Sequence, residues 1–252
     1  MVVKKSKVFK KIVAELARSF EKLPDYREGG NTRYEIKDAA ASAFSVFFSQ
    51  SPSFLASQRL LQKSKGKNNL QKLFGVEKIP TDTQTRNLLD PLAPSLLSEL
   101  FPYGINLLKE KGILKKFESY AGQILISTDG TETVSSQKLH CQNCSHRELK
   151  NGETHYFHSA ILPVIVKASN PRVLPLSPEF ITPQDGHEKQ DCEREATKRW
   201  VKRNSAALKG WRYTMLGDDL YSNQPLCEAF LAAELNFILV CKPDSHIELY
   251  KT

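Results

Sequence analysis

The feature that most restricts how this chain can fold is a change of hydrophobic period near residue 120. Before it, apolar residues recur at helical spacing, as with Val8, Ile12, Leu16 and Phe20 on one face of a helix expected over 7–23. After it come short apolar runs of strand length. Those at 123–128, 156–168 and 172–176 are close in sequence and predict an antiparallel meander. Helical spacing returns over 191–204, where Cys192, Ala196 and Trp200 share a face, and over 225–234, with Leu226 and Phe230 inward. The runs 213–216 and 237–241 read as further strands. Three strands, then helix, strand, helix, strand call for an α/β unit over 121–252, preceded by an all-helical region over 1–120.

Within that region further helices are expected at 34–48, 52–62, 82–89 and 94–111, with Thr81 and Asp82 as a helix-start signal. Charge follows the same division. Residues 1–120 hold 21 Lys and Arg against 12 Asp and Glu, whereas 121–252 hold 15 against 16. A basic half beside a near-neutral one suggests a polyanion-binding module attached to a different activity, the alternative being a solvated Lys-rich surface. Lys63, Lys65, Lys67 and Lys72 are candidates for contact with DNA phosphates. Arg86 sits on the short helix around Thr83-Gln-Thr-Arg-Asn87, whose small polar residues suit a groove-reading helix and equally any exposed one. No apolar run approaches the roughly 20 residues of a membrane helix, and the basic N-terminus has no apolar stretch behind it, so a cytoplasmic, nucleoid-associated protein is expected.

Two acidic residues stand where chemistry is expected. The order of elements is that of an RNase H-like mixed sheet, in which the first and fourth strands lie side by side at the centre. Asp129 follows Ile124-Leu-Ile-Ser-Thr128, and Asp218 ends the run around Met215-Leu216, so two carboxylates distant in sequence can meet. Magnesium and manganese prefer such hard oxygen ligands, and two ions about 4 Å apart can activate a water or a DNA 3′-hydroxyl and stabilise the leaving oxygen. The plainer readings are a turn at Asp129-Gly130 and an N-cap at Asp218 or Asp219.

Ser127-Thr-Asp-Gly-Thr-Glu132 resembles the first-aspartate motif of insertion-sequence DDE transposases, and Leu216-Gly-Asp-Asp-Leu-Tyr-Ser-Asn-Gln-Pro225 is similar to their second. In that motif an aromatic follows the Asp by three positions, which selects Asp218 over Asp219 because Tyr221 is the aromatic. Leu23-Pro-Asp-Tyr-Arg27 and Tyr34-Glu-Ile-Lys-Asp38 resemble the N-terminal helical region of the same enzymes. The resemblance spans essentially the whole chain. It implies metal-dependent cleavage and joining of double-stranded DNA at element ends and target, by a homo-oligomer assembled on DNA. The family's third ligand is a Glu on a helix after the last core strand. Glu228, Glu234 and Glu248 are not well placed for it, so a C-terminally truncated copy with little activity of its own is expected. A non-catalytic DNA-binding derivative and a related nuclease of the same fold are the competing readings.

The five cysteines form no disulfide framework; Cys192, Cys227 and Cys241 lie in apolar surroundings and are expected as buried thiols. His140-Cys141-Gln-Asn-Cys144-Ser-His146 has zinc-ligand spacing through Cys141, Cys144 and His146, with His155, His158 and Cys192 as further partners. A second pair of ligands is missing, so a reduced hairpin loop is the alternative. His187 and His246 read as loop residues.

Overall fold

The apolar stripe of the first helix becomes α1 (Lys7–Glu21), whose Leu16 and Phe20 are buried. The computed structural model describes residues 7–30, 32–63, 69–76, 78–138, 140–182, 192–208 and 211–251. They form two units, Met1–Gly104 and Ile105–Thr252. The first contains α1, α2 (Ile36–Phe48), α3 (Phe54–Lys63), α4 (Asn69–Phe74) and α5 (Asp82–Leu89). Alanines at 39, 40 and 41 bury one side of α2. Ala40 and Ala41 pack with Leu16, Phe20 and Val76, and Ala39 with Ile36 and Leu88. Thr81 caps α5 by accepting from the Gln84 N–H at 3.2 Å, as its sequence signal predicted. The turn after α1 is closed by Arg27, which donates to both carboxylate oxygens of Asp25 (2.8 and 2.5 Å) and to the Tyr34 carbonyl (2.9 Å).

The helix α6 (Leu100–Glu110) leads into the second unit. Leu114 and Phe117, which the sequence groups with the helical region, pack in the core of this sheet unit. Its strands are β1 (Ile124–Ser127), β2 (Gly130–Ser136), β3 (Ser145–Glu148), β4 (Thr154–Ile161), β5 (Val164–Val166), β6 (Leu174–Pro175), β7 (Glu179–Ile181), β8 (Tyr213–Gly217) and β9 (Asn236–Leu239), with α7 (Glu193–Leu208) and α8 (Gln224–Ala232). One sheet runs β6-β5-β1-β8-β9. In it β5 lies antiparallel to β1, β8 parallel to β1, and β9 parallel to β8. The second sheet has β4 at its centre, paired with β2, β3 and β7.

The expected single strand over 156–168 is two strands, β4 and β5, in different sheets. Pro163 has no N–H to continue a ladder, and here the chain changes sheets. The Leu162 N–H bonds the Asp129 carbonyl at 3.1 Å, beside the point where the chain passes from β1 to β2. The strands β2, β3 and β7 were not anticipated. Their residues are mostly polar, and β3 buries only Ser145.

The core joins the first sheet, the inner ends of β4 and β7 (Ile161 and Ile181) and the helices α7 and α8. Ile124 and Ile126 of β1, Met215 of β8, Trp200 of α7 and Phe230 of α8 are all essentially fully buried. Trp200 donates its ring N–H to the Ser177 carbonyl at 2.7 Å, so its one polar atom is satisfied inside. None of the described helices is long and apolar enough to cross a membrane.

Candidate active site

The parallel register of β1 and β8 pairs Ser127 with Leu216. The Thr128 N–H bonds the Leu216 carbonyl at 3.2 Å, and continuing the same register sets position 129 beside position 218. Asp129 and Asp218 therefore stand at the carboxyl ends of neighbouring central strands, and both are exposed. Asp129 Oδ1 accepts from the Gly130 N–H at 2.8 Å. Asp218 Oδ1 accepts from the Leu220 N–H at 3.0 Å, capping the short turn Asp219–Tyr221. The turn and cap readings of these residues are thus realised in the same geometry that brings them together.

Sequence reasoning missed a third acid. Glu193, the first residue of α7, turns its carboxyl group toward this edge. Burial pushes its pKa up, Asp129 adds to that by charge repulsion, and Asp218 adds less. Against these, the Tyr221 hydroxyl donates to Glu193 Oε2 at 3.4 Å. Tyr221 is itself buried, and burial first, then the Glu193 charge, pushes its phenol far up. Beside that phenol lie the buried side chains of Thr128 and Thr197, whose hydroxyls oppose part of that rise.

Two glycines make room for the arrangement. A Cβ on Gly130 would overlap the Glu193 carboxyl group, and one on Gly217 would come within 2.8 Å of the Tyr221 Cβ. Asp219 has a different task. It accepts from the Lys242 N–H and the Ser245 hydroxyl, both at 2.6 Å, and pairs with His246 at 3.4 Å. Those contacts hold its carboxyl below the usual range, the Lys242 N–H most.

No sequence signal marks Glu193 clearly. A Glu in the first turn of a helix is ordinary because it complements the helix dipole. The resemblance, moreover, implies a third acid on a helix after the last core strand, beyond β9. Glu228 and Glu248 instead make local contacts, with Gln224 and Lys251.

Of the other candidates, Cys141 and Cys144 are brought together with His158 rather than with His146. Their sulfurs lie 3.7 Å apart, and His158 Nε2 is 3.4 and 3.3 Å from them. Among the described residues this is the one group of three or more ligand-type side chains whose donor atoms all lie within 4.8 Å of one another, and the three acids are spaced more openly. His146 pairs across β3 and β4 with Tyr156, one step short of His158 on the same face. Cys192, Cys227 and Cys241 are half-buried, not buried, and Cys241 Sγ lies 3.0 Å from Ser222 Oγ.

In the helical unit Lys63 and Lys72 are exposed, and Arg86 is largely exposed while pairing with Asp82 at 3.4 Å. Lys65, Lys67 and His187 lie outside the described residues. On α7, Arg199 and Arg203 pair with the buried Glu179 at 3.1 and 2.6 Å. Lys198 pairs with Glu195 at 2.8 Å.

Fold and site together define a mixed α/β chain with an acidic cluster at the carboxyl edge of its central parallel strands. No family model and no curated protein matches the sequence. Among solved structures, the chain is similar to a piggyBac transposase seen by cryo-EM in a synaptic complex with hairpin DNA. The likeness has a TM-score of 0.34 and 12% identity, over 92% of this chain and 48% of that one. The chain thus spans about half the length of that transposase, and a likeness this distant defines neither a fold nor an activity.

Proposed function

We propose that the unit Ile105–Thr252 is an RNase H-like phosphoryl-transfer domain of a DDE-type transposase, with Asp129, Glu193 and Asp218 as its metal-holding acids. The observation that carries this reading is the placement of the Glu193 carboxyl group against Gly130, beside the first of the two strand-end aspartates. Three carboxylates gathered at one edge are held near one another only at an energetic cost, and a divalent cation offsets that cost. The donor set is all oxygen, which suits magnesium or manganese.

Bound there, divalent ions supply activation of a water or 3′-hydroxyl and stabilisation of the leaving oxygen. The chain's own residues do the positioning. Asp129 and Asp218 present oxygens from strand ends fixed by backbone hydrogen bonds, and Tyr221 orients Glu193 from beneath. In this reading the substrate is double-stranded DNA, held through phosphates by exposed lysines such as Lys63 and Lys72, with affinity falling steeply as salt rises.

The test combines manganese binding, followed by water-proton relaxation, with nicking of supercoiled DNA by the full chain. Wild type is expected to bind and nick, and Asp129→Asn, Asp218→Asn and Glu193→Gln to lose both. Full binding and nicking by any of the three would remove that residue from the site, and by all three would overturn the proposal.

A further inference from the structure

The arm formed by β2, β3 and the outer part of β4 has little to hold it by apolar burial. Among the described residues, none from 131 to 159 belongs to the hydrophobic core of the unit. Polar contacts connect its strands instead. Arg147 bridges to Glu132 at 3.0 and 3.2 Å and lies over the Phe157 ring at 4.9 Å. Such surface contacts contribute little each. Small elements without a sufficient core are commonly fastened by a disulfide or a metal.

At the arm's loop, Cys141 and Cys144 face His158 of β4. The 3.7 Å between sulfurs is far beyond the roughly 2.05 Å of a disulfide. A tetrahedral zinc separates two sulfurs by about 3.8 Å, and a sulfur from a nitrogen by about 3.6 Å, given its usual bond lengths. The observed edges of 3.7, 3.4 and 3.3 Å describe a slightly contracted version of that triangle.

We propose that Cys141, Cys144 and His158 bind a zinc ion that fastens the loop between β2 and β3 onto β4. The two thiols bind as thiolates and release their protons; the imidazole binds through Nε2. The face carrying His158 also carries His146, by register with Tyr156, and His140, whose ring stacks on Tyr156 at 4.4 Å. An imidazole or a water is therefore at hand for the fourth position. Softness of the donors separates this site from the acidic one: thiolates select zinc, carboxylates select magnesium or manganese. The proposal stands whether or not the acidic site acts on DNA.

The test is metal analysis of the full chain, purified under reducing conditions without chelator. About one zinc per chain is expected for wild type, as for structural sites, with strong depletion in Cys144→Ser and His158→Ala. Fewer than about 0.2 zinc per wild-type chain, or wild-type zinc in either variant, would overturn the proposal. A variant could lose zinc merely by misfolding, so a second measurement uses the wild-type chain alone. Zinc is stripped with a chelator and replaced by cobalt. A thiolate-to-cobalt charge-transfer absorption is expected, and its absence would equally overturn the assignment.

Discussion

The carboxyl group of Glu193 occupies the space where a side chain at position 130 would begin: a Cβ on Gly130 would stand 2.1 Å from Glu193 Cδ and 2.2 Å from Oε1. The colliding atoms are the far end of a flexible side chain, so Gly130→Ala should displace the carboxylate and leave the fold intact. The melting point is expected to change by no more than about 0.5 kcal/mol would produce, the range of mild substitutions. Metal-dependent nicking should fall by about 10²-fold, the scale of an ångström-sized misplacement. Full nicking would show that Glu193 is not used.

The pH dependence of the metal-free chain follows from the same residue. Burial and Asp129 raise the Glu193 pKa above its ordinary 4.5, so the folded chain holds this proton more tightly than the unfolded chain does. Its contribution to stability therefore declines as pH climbs from 4.5 through the raised value, and the deficit is complete above it. In chelator at pH values above that window, Glu193→Gln is expected to melt higher than wild type. The advantage should vanish once acid has protonated both states of the wild type. Thermal melts across pH read it directly, and a lower melting point for Gln in neutral chelator would contradict it.

Adjacent aspartates should behave differently. Asp219 is committed to the Lys242 N–H and Ser245 hydroxyl, so Asp219→Asn should loosen the turn around 242–246, seen as faster hydrogen exchange there, and retain nicking. Asp218→Asn should leave that turn alone and reduce nicking by roughly 10²- to 10³-fold, as for loss of one charge-stabilising group. The reverse pattern would reassign the second acid.

Arg199 and Arg203 both serve the buried Glu179. Removing both strands a carboxylate in a nearly dry position, which costs about 3–5 kcal/mol in comparable cases. Either single replacement should cost much less, because the other guanidinium remains. Lys202→Ala, on the exposed face of the same helix, should be silent in a denaturant titration. Equal effects at 202 and 203 would argue against the clamp.

How much of this was legible beforehand varied with the physics of each element. Helices with an apolar stripe, α1 and α7 among them, and the apolar strands β1 and β8 were readable because burial imposes a period on sequence. The polar strands β2 and β3 carry no such period, since none of their described side chains belongs to the core. The run broken at Pro163 looked continuous because each half is apolar for its own sheet. In the acidic site, the two aspartates end readable strands, whereas Glu193 belongs with them only through the packing of α7. His158 stood only among the further partners: proximity in sequence favoured His146, whereas the fold brings the β4 histidine to the two sulfurs.

Asp129 is open to solvent, yet its main chain is held by backbone hydrogen bonds on both sides of the site. It lies where the chain leaves one sheet for the other, and its carbonyl is tied to Leu162 at the return crossing. Accessibility and freedom are therefore separate properties at this position. An incoming ligand would meet an acid whose anchor is already set between two ladders, and little ordering would be left for the encounter itself to supply.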